Sequence, residues 1–333
     1  MIEPDVCVVT VTYGRRWHLL RQVLHELVSH HEKISKIIVV DNGSAEPISE
    51  LVDESGWAPK VKVVRLNQNA GSAGGFGAGL QAGMQTGARL LWLLDDDNRP
   101  RPGALDRLLS AYSMMGEDPS VLLQSYRGDR YQYVIAATEG RFEGIIPNSF
   151  QGLHVRNIPR KLLNQFRSRS KNTRVRFPCV EIDCAPYGGL LLSRHWVEQV
   201  GLPNPDFFVY LDDYEFTYRI TNTQGRIYLC ATSELEDLDQ SWSVKDPGAR
   251  SIFSPSAPPL RVYYSVRNQT FLEKRLCSSR MIYVANMIVA LTVLFFWSFT
   301  AGHSMRSFGA RLSLLSRAIR EGWSGKLGVR DAF

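Results

Sequence analysis

Three consecutive aspartates are the first residues in the sequence whose types and spacing could do chemistry. Asp95, Asp96 and Asp97 directly follow an apolar run from Arg89 to Leu94. Adjacent carboxylates repel one another unless a cation or hydrogen-bond donors compensate their charge. In an extended segment, residues i and i+2 point the same way, so Asp95 and Asp97 could act together on one cation. Their hard oxygens suit Mg²⁺ or Mn²⁺. The alternative is a solvated turn or a helix cap.

Two further aspartates, Asp212 and Asp213, lie in the aromatic segment "FFVYLDDYEFTYRI". Aromatic neighbours restrict water, and the loss of water raises the pKa of a carboxyl group. Such a carboxylate is suited to accept a proton from a hydroxyl group. The alternative is structural, because acidic residues also favour the first turn of a helix.

The elements that would position these aspartates follow from a repeated pattern of short apolar runs. Four runs predict buried strands, namely Asp5 to Val11, Lys36 to Asp41, Val61 to Leu66 and Arg89 to Leu94. Apolar residues at helical spacing separate the first two runs, and a second helical pattern covers about Ala73 to Ala88. This alternation predicts an α/β domain with a doubly wound, mostly parallel sheet, whose ligand lies at the carboxyl ends of the strands.

Each predicted strand is followed by a polar or glycine-rich segment. In chain order these segments are "TYGRR", "DNGS", the glycine-rich turn "NQNAGSAGGF" and "DDDNRP". Together they predict a site for a nucleotide diphosphate, although no single dinucleotide or P-loop motif is present. The alternative for Gly77 and Gly79 is close packing of a helix on the sheet.

Composition indicates the class of partner and the redox environment, but it does not identify the partner. The 333 residues carry a net charge of +6, which indicates an anionic partner such as nucleic acid, phospholipid or a phosphorylated small molecule. Five cysteines without a C-x-x-C pair argue against a disulfide framework and a structural zinc site, and they favour a reducing cytosol. The first residues lack the basic segment of a signal peptide.

The second half of the chain contains a basic segment and an apolar segment. Residues 154–176 carry eight Arg or Lys and no acidic residue, which predicts a mobile basic loop or, alternatively, a solubilising face. Residues 281–299 are uncharged for 19 positions, just long enough to span a bilayer. Basic residues flank both ends, so an in-plane or re-entrant helix fits better than a spanning one. A buried helix in the core or at a dimer interface is the alternative.

The ordered set of segments resembles family 2 glycosyltransferases with the GT-A fold. The resemblance rests on "VVTVTYGR", "VVDNGS", "NQNAGSAGGF", "WLLDDDNRP", "PYGGLLLSR" and "FFVYLDDYEFTYR", and it covers about Val6 to Tyr264. Within the family, the sequence is most similar to bacterial galactofuranosyltransferases, with rhamnosyltransferases of cell-surface polysaccharides as near relatives. We therefore expect a GT-A domain at residues 1–265 and a helical, membrane-associating region at residues 266–333.

The resemblance also implies roles for individual residues. Asp213 would be the catalytic base, with Asp212 binding the acceptor beside it, and Asp95 and Asp97 would hold the metal ion. The residues implied in donor binding are Thr12, Tyr13, Arg15, Asp41, Asn69, Gly74 and Asp96. Tyr187 and Trp196 are further candidates for sugar contacts.

One position departs from the family pattern. Related transferases carry a metal-ligating histidine just before a "WSxKD" stretch, whereas this chain has "EDLDQSWSVKD" without a histidine. Asp239 occupies the equivalent place, and its carboxylate could serve as a third oxygen ligand for Mg²⁺ or Mn²⁺.

The expected function is inverting, metal-dependent transfer of a sugar, with galactofuranose from UDP-galactofuranose as the first candidate. The acceptor would be a hydroxyl of a lipid-linked or polymeric cell-surface glycan. We expect a cytoplasmic protein that is peripherally or monotopically associated with the inner face of the cell membrane, has no nucleic-acid partner and could form a homo-oligomer. The alternatives are a dTDP-rhamnose-dependent rhamnosyltransferase and a catalytically silent, membrane-associated glycan-binding subunit. A sugar nucleotidyltransferase would need a phosphate-binding motif where "TYGRRWHLL" stands.

Overall fold

The computed structural model describes residues 5–30, 32–142, 144–158, 175–239, 257–300 and 305–330. The chain forms two compact units that are interleaved in sequence. Unit 1 comprises residues 1–143, 175–208 and 212–240, and unit 2 comprises residues 144–174, 209–211 and 241–333. The boundary predicted between residues 265 and 266 falls inside the helix Pro259–Arg275.

Unit 1 is built from a sheet and the helices that cover it. The strands described are β1 Val6–Thr12, β2 Ile34–Asn42, β3 Val61–Leu66, β4 Leu90–Asp95, β5 Asn98–Pro100, β6 Val121–Tyr126, β7 Cys179–Ile182, β8 Leu190–Ser193 and β9 Arg226–Asp237. The α-helices described are α1 Trp17–His30, α2 Ile48–Glu54, α3 Gly71–Met84, α4 Ala104–Met114, α5 Tyr131–Glu139, α6 Arg194–Val200 and α7 Asp212–Thr221.

The sheet is mixed rather than mostly parallel. Its strand order is β3-β2-β1-β4-β8-β6-β9-β5, and β7 pairs with β9 off this path. The four predicted strands β1 to β4 are parallel neighbours, and β6 is parallel to β9. β8 is antiparallel to both β4 and β6, while β5 and β7 are antiparallel to β9. The antiparallel pairing of β5, β7 and β8 escapes prediction because these strands have only three or four residues each, too few to establish a period.

The central strands carry long apolar runs because helices cover both faces of the sheet. Every residue of β1 is buried. Val9 packs in one hydrophobic cluster with Leu80 of α3, and Val8 packs in the opposite cluster with Leu24 of α1. This two-faced burial explains the unbroken apolar runs in the sequence.

The glycine-rich segment forms helix α3 rather than an open turn, and its glycines let the helix lie close to the sheet. A Cβ at Gly79 would lie 2.4 Å from Val9 Cγ1, and one at Gly75 would lie 2.6 Å from Val11 Cγ1. The packing interpretation therefore holds for Gly79. No heavy atom lies within 4 Å of a Cβ built at Gly77, so packing does not require that glycine.

Unit 2 is helical in its described part. It contains a 3₁₀ turn at Val155–Asn157 and the helices α8 Pro259–Arg275, α9 Arg280–Thr300 and α10 Met305–Ser324. Close approach of α10 to α8 depends on Gly322, where a Cβ would lie 2.2 Å from the Arg267 carbonyl oxygen. The apolar segment predicted at residues 281–299 lies within α9, and no helix in the described residues is both long and apolar enough to cross a membrane. Of the predicted basic loop, residues 159–174 lie outside the described part of the chain.

Candidate active site

The carboxyl ends of the parallel strands meet at one edge of the sheet, and polar residues stand at each of them. Asp95 ends β4, Thr12 ends β1, and Asp41 is the second-last residue of β2. Arg127 follows β6, and Asp237 ends β9, which runs parallel to β6. The predicted polar edge is therefore present, and β6 and β9 contribute residues to it that the four predicted strands did not include.

Asp96 turns into the protein and is held by hydrogen bonds. It is 3% exposed and accepts a bond of 2.7 Å from the Thr12 hydroxyl and one of 3.0 Å from Arg16 Nε. Burial raises the pKa of Asp96 to about 6 even though Arg16 opposes the shift. Two residues implied in donor binding, Thr12 and Asp96, thus bond to each other and fix the end of β1 to the end of β4.

Arg16 bridges the aspartates of the site. Besides Asp96, its guanidinium donates from Nη2 to Asp97 Oδ2 at 2.8 Å and from Nη1 to Asp239 Oδ2 at 3.2 Å. Asp97 and Asp239, which lie 142 positions apart in the sequence, are therefore brought to one side chain. Arg15, the residue implied in nucleotide binding, is exposed. The sequence offered two adjacent arginines and no signal as to which one faces inward.

The predicted metal ligands do not form a closed site. Among the described residues, no three His, Cys, Asp or Glu side chains converge closely enough to hold a metal ion. Asp97 and Asp239 contact Arg16, whereas Asp95 Oδ2 lies 3.8 Å from Arg127 Nη1 and its side chain is 41% exposed. Burial and the neighbouring charges of Asp95 and Asp96 raise the pKa of Asp97 to about 8.

The chemistry and space around these carboxylates nevertheless fit a hard divalent cation. Carboxylate oxygens are the ligands that Mg²⁺ and Mn²⁺ prefer, and the shared contact with Arg16 brings those of Asp97 and Asp239 near each other. Gly188 keeps the space beside Asp95 open. A Cβ there would lie 2.6 Å from Asp95 Oδ2 and 2.1 Å from Asn98 Oδ1.

A buried ionic network supports the aspartates from β6 and β9. Arg127 is 2% exposed and lies 3.6 Å from Asp237 Oδ1, and Arg130 Nη2 lies 3.1 Å from Asp237 Oδ2. Asn98 donates from Nδ2 to Asp237 Oδ1 at 2.7 Å and to Asp97 Oδ1 at 3.1 Å. None of Arg127, Arg130 and Asp237 was predicted. A signal was present, because "RGDR" follows the apolar run "VLLQSY" as "DDDNRP" follows its own strand.

Asp212 and Asp213 begin helix α7. Asp212 is 2% exposed and accepts a 2.9 Å bond from the Ser72 hydroxyl at the start of α3. Burial and the charge of Asp213 raise the pKa of Asp212 well above its ordinary range. The two aspartates also stabilise the first turn of α7, as the structural alternative predicts, since carboxylates favour the amino end of a helix.

Asp213 has the electrostatics of a group that exchanges protons near neutral pH. Burial raises its pKa to about 7, and a 2.8 Å hydrogen bond from the Tyr214 backbone N–H opposes that shift. The charges of Asp95 and Arg127 act on Asp213 in opposite directions. Asp213 therefore lies within electrostatic reach of the polar edge of the sheet, and its pKa suits a general base.

The remaining predicted donor-binding residues lie at or after the carboxyl ends of β1, β2 and β3. Asp41 is 1% exposed, accepts from the Ser44 backbone N–H at 2.8 Å and pairs with Arg65. Asn69 Oδ1 accepts from the Gly71 backbone N–H at 2.8 Å, which orders the entry to α3. Gly74 lies in the first turn of α3, and Tyr13 is 45% exposed beneath the Arg16 guanidinium.

Tyr187 and Trp196 lie in the hydrophobic core and not on an open surface. Each is 3% exposed. Tyr187 packs against Phe76 with ring centroids 4.2 Å apart, and it also contacts Phe216. Their aromatic character therefore serves packing, which the sequence pattern alone does not distinguish from sugar binding.

Comparison with curated sequences gives a partial match. The chain is 40% identical over 95 residues to the galactofuranosyltransferase GlfT1 of Mycolicibacterium smegmatis. The aligned part is 28% of this chain and 30% of that protein, so the chain matches less than a third of its relative's length.

Comparison with solved structures identifies the fold. S. aureus TarS 1–349 in complex with UDP-GlcNAc aligns with a TM-score of 0.52 and 13% identity, covering 96% of this chain and 81% of that one. The mannosyltransferase PcManGT from Pyrobaculum calidifontis in complex with GDP-Man and Mn²⁺ aligns with a TM-score of 0.50 and 15% identity, covering 98% and 89%.

The sequence profile of glycosyl transferase family 2 matches residues 7–179, which include β1 to β6 almost entirely and the aspartate triplet. The resemblance predicted from the ordered segments is thereby confirmed. The chain belongs to glycosyl transferase family 2 and has a mixed α/β, GT-A-like sheet.

Proposed function

We propose that the protein transfers a sugar from a nucleotide diphosphate to an acceptor hydroxyl with inversion at the anomeric carbon, and that the reaction needs a divalent cation. UDP-galactofuranose is the first candidate donor, because the partial curated match is a galactofuranosyltransferase. The observation that carries the proposal is the half-buried Asp213 at the amino end of α7, with a pKa of about 7 and within electrostatic reach of Asp95 and Arg127.

Asp213 would act as the general base. Its ionised carboxylate takes the proton from the acceptor hydroxyl as that oxygen attacks the anomeric carbon. The bond from the anomeric carbon to the diphosphate oxygen breaks, and the nucleotide diphosphate leaves with the electron pair. Because one displacement occurs on the face opposite the leaving group, the configuration inverts. Asp212, whose raised pKa favours its protonated form, has a proton to donate to an acceptor oxygen.

The leaving diphosphate would be received by the polar edge of the sheet. Asp95, Asp97 and Asp239 would hold Mg²⁺ or Mn²⁺, and such a cation supplies positive charge to the departing diphosphate. Arg16 and Arg127 add fixed positive charge at the same edge, where a partly water-excluded setting strengthens electrostatic stabilisation.

We further propose that the protein meets its acceptor at a membrane surface, on the inner face of the cell membrane. Helix α9 exposes apolar side chains, namely Met281, Ile282, Val284, Ile288, Val293 and Phe296. Basic residues stand on the same and adjoining helices, namely Lys274, Arg275, Arg280, Arg311, Arg317 and Arg320. Apolar and basic residues together favour an anionic lipid interface, where a lipid-linked glycan would be the acceptor.

Liposome flotation tests this membrane association. We expect the protein to float with anionic vesicles and to float less at high salt, because salt screens the basic residues. The double variant Ile288→Asp/Phe296→Asp should float less, whereas Met114→Asp should not change flotation, because Met114 is an exposed apolar residue on α4 of unit 1. A wild-type protein that stays with the soluble fraction at every salt concentration would contradict the membrane proposal.

A donor panel tests the reaction itself. The protein is incubated with UDP-galactofuranose, dTDP-rhamnose and common UDP-pyranoses, together with short lipid-linked glycan acceptors and Mn²⁺ or Mg²⁺. We expect acceptor-dependent UDP release that a chelator abolishes, and a product whose anomeric configuration by NMR is inverted. Transfer from dTDP-rhamnose would correct the donor, and no nucleotide release from any donor would favour the catalytically silent alternative.

A further inference from the structure

The residues that lead into the two aspartates of α7 have an unfavourable backbone conformation. Tyr210 has a φ of 67° and Leu211 a φ of 63°, immediately before Asp212. Bulky residues rarely adopt positive φ, because the side chain then crowds the backbone, so each such position is strained. A segment of this kind keeps its conformation only where surrounding groups hold it.

The side chain of Asn268 on α8 holds this segment within unit 2. Its Nδ2 donates to the Val209 carbonyl oxygen at 3.0 Å and to the Tyr210 carbonyl oxygen at 2.8 Å. Both protons of the amide nitrogen are therefore used. Asn268 is fully buried, so water does not compete for these bonds.

Arg267 fixes which end of the Asn268 amide faces the segment. Its Nε donates to Asn268 Oδ1 at 2.8 Å, so the oxygen must point to Arg267 and the nitrogen to the two carbonyls. Arg267 is itself immobilised, because its Nη1 donates to the Gly328 carbonyl oxygen at 2.6 Å and its guanidinium lies over the Tyr264 ring. A continuous hydrogen-bond network thus runs from Gly328 through the buried Arg267 and Asn268 to the backbone of residues 209 and 210.

We propose that Asn268 is a positioning residue for Asp212 and Asp213, an inference that rests on the proposed function. Residues 209–211 continue directly into Asp212, so the backbone that Asn268 holds sets where α7 begins and where its first two carboxylates point. Displacement of a catalytic group by about 1 Å costs on the order of a hundredfold in rate, whereas binding of a donor that the group does not contact is unaffected.

The test compares two isosteric substitutions at buried asparagines of unit 2. Asn268→Asp removes the two donated bonds but keeps the acceptor for Arg267. Asn286→Asp on α9 is the matched control, since it removes one bond of 2.8 Å to the Asn148 carbonyl oxygen and keeps the acceptor for the Val155 N–H. We measure kcat, donor KM, UDP affinity by calorimetry and thermal unfolding for both variants and for the wild type.

The expected result is a split between kcat and KM. For Asn268→Asp, kcat falls at least about tenfold while donor KM and UDP affinity stay within about twofold of the wild type. For Asn286→Asp, kcat, donor KM and UDP affinity all stay within about twofold of the wild type. If Asn268→Asp does not unfold cooperatively, Asn268→Ser is measured by the same readouts with the same expected result.

The proposal is overturned by unchanged kcat in a folded Asn268 variant, by an equal loss of kcat in the Asn286 control, or by parallel loss of UDP binding. Failure of both Asn268 variants to fold would assign Asn268 to folding and would also overturn it. Failure of the proposed function gives a different result, because the wild type itself then releases no nucleotide from any donor. In that case the inference about Asn268 is wrong as well.

Discussion

Two adjacent arginines with the same chemistry have different surroundings in this protein. Arg16 contacts Asp96, Asp97 and Asp239, whereas Arg15 is exposed. A guanidinium that lies between carboxylates neutralises part of their charge, and a divalent cation bound to the same carboxylates would meet that positive charge. Arg16 therefore stabilises the site without metal, and its charge would oppose a metal ion bound to the same carboxylates.

Arg16→Gln should bind Mn²⁺ more tightly than the wild type when no donor is present. The expected gain is about fivefold, or about 1 kcal/mol, the size of one charge interaction at about 4 Å in a well-solvated site. Arg15→Gln is the matched control and should leave Mn²⁺ affinity unchanged. Electron paramagnetic resonance of free Mn²⁺ measures both affinities. Weaker Mn²⁺ binding in Arg16→Gln would mean that Arg16 organises the ligands and does not oppose the ion.

The pKa of Asp213 predicts how the rate depends on pH. A base must be ionised to accept a proton, and burial raises the pKa of Asp213 to about 7. Turnover should therefore rise about tenfold per pH unit below pH 7 and level off above it. The pH profile of kcat at saturating Mn²⁺ measures this, with UDP affinity over the same range as the control. A flat profile from pH 5.5 to 7.5 would exclude Asp213 as the base.

Some site residues were predictable and others were not, for a physical reason. Asp95 and Asp97 could be placed because adjacent carboxylates after an apolar strand are electrostatically costly and therefore informative. The segment "RGDR" after "VLLQSY" was a signal for Arg127, but its place beside Asp95 was not predictable, because β6 joins the sheet next to β8 and β9 through contacts between distant parts of the chain. Likewise, Asp239 could be aligned by its neighbours, but its contact with Arg16 could not.

Helix α3 offers a direct comparison of two glycines in one element. Gly79→Ala should destabilise the protein by about 1–3 kcal/mol, because the new Cβ would lie 2.4 Å from Val9 Cγ1 in a packed core. Gly77→Ala should stabilise it by about 0.5–1 kcal/mol, because no heavy atom lies within 4 Å of that Cβ and alanine favours the helix. Chemical denaturation measures both values. Equal effects of the two substitutions would contradict the close packing of α3 on β1.

At the level of elements, the sequence predicted best where burial was continuous. β1 and β4 lie within one residue of their predicted bounds, because long apolar runs define strands that are covered on both faces. Helix α3 begins at Gly71 and ends at Met84, two residues before the predicted start and four before the predicted end, since glycines carry no periodicity of their own. The mixed part of the sheet was missed because its short strands acquire their pairing only from neighbours.

On the scale of the whole molecule, the two units are assembled from segments that are far apart in sequence. Residues 144–174 and 209–211 belong with the C-terminal helices, although the chain around them belongs to unit 1. A linear boundary at residue 265 does not describe this arrangement. The sequence of residues 209–211 does not indicate that they belong to unit 2, because this assignment depends on hydrogen bonds to the distant residue Asn268.

A buried carboxyl group in unit 2 makes stability depend on pH. Glu273 is 1% exposed, and burial raises its pKa to about 8, above the ordinary value of 4.5. Between pH 4.5 and about pH 8, the folded protein keeps the proton on Glu273, whereas the unfolded chain has lost it. The contribution of Glu273 to the free energy of unfolding is therefore fully present below pH 4.5. It is lost as pH rises to about 8, by about 3–5 kcal/mol in total.

Glu273→Gln should remove this dependence, because the amide carries no titrating proton and still accepts from the Gly152 N–H. The stability difference in favour of the variant should grow between about pH 5 and pH 8. Denaturant unfolding at each pH measures it, with hydrogen exchange of α8 as the local readout. A constant difference between variant and wild type across this range would show that Glu273 does not titrate.

The central claim is that Asp213 removes the proton from the acceptor hydroxyl, and Asp213→Asn tests it most directly. The substitution keeps the size of the side chain and the acceptor oxygen for the Tyr214 N–H, but it removes the basic oxygen. With the donor that the wild type uses, kcat should fall about a thousandfold while donor affinity measured by calorimetry stays within about twofold. Turnover retained at near the wild-type rate with the donor bound normally would contradict the account.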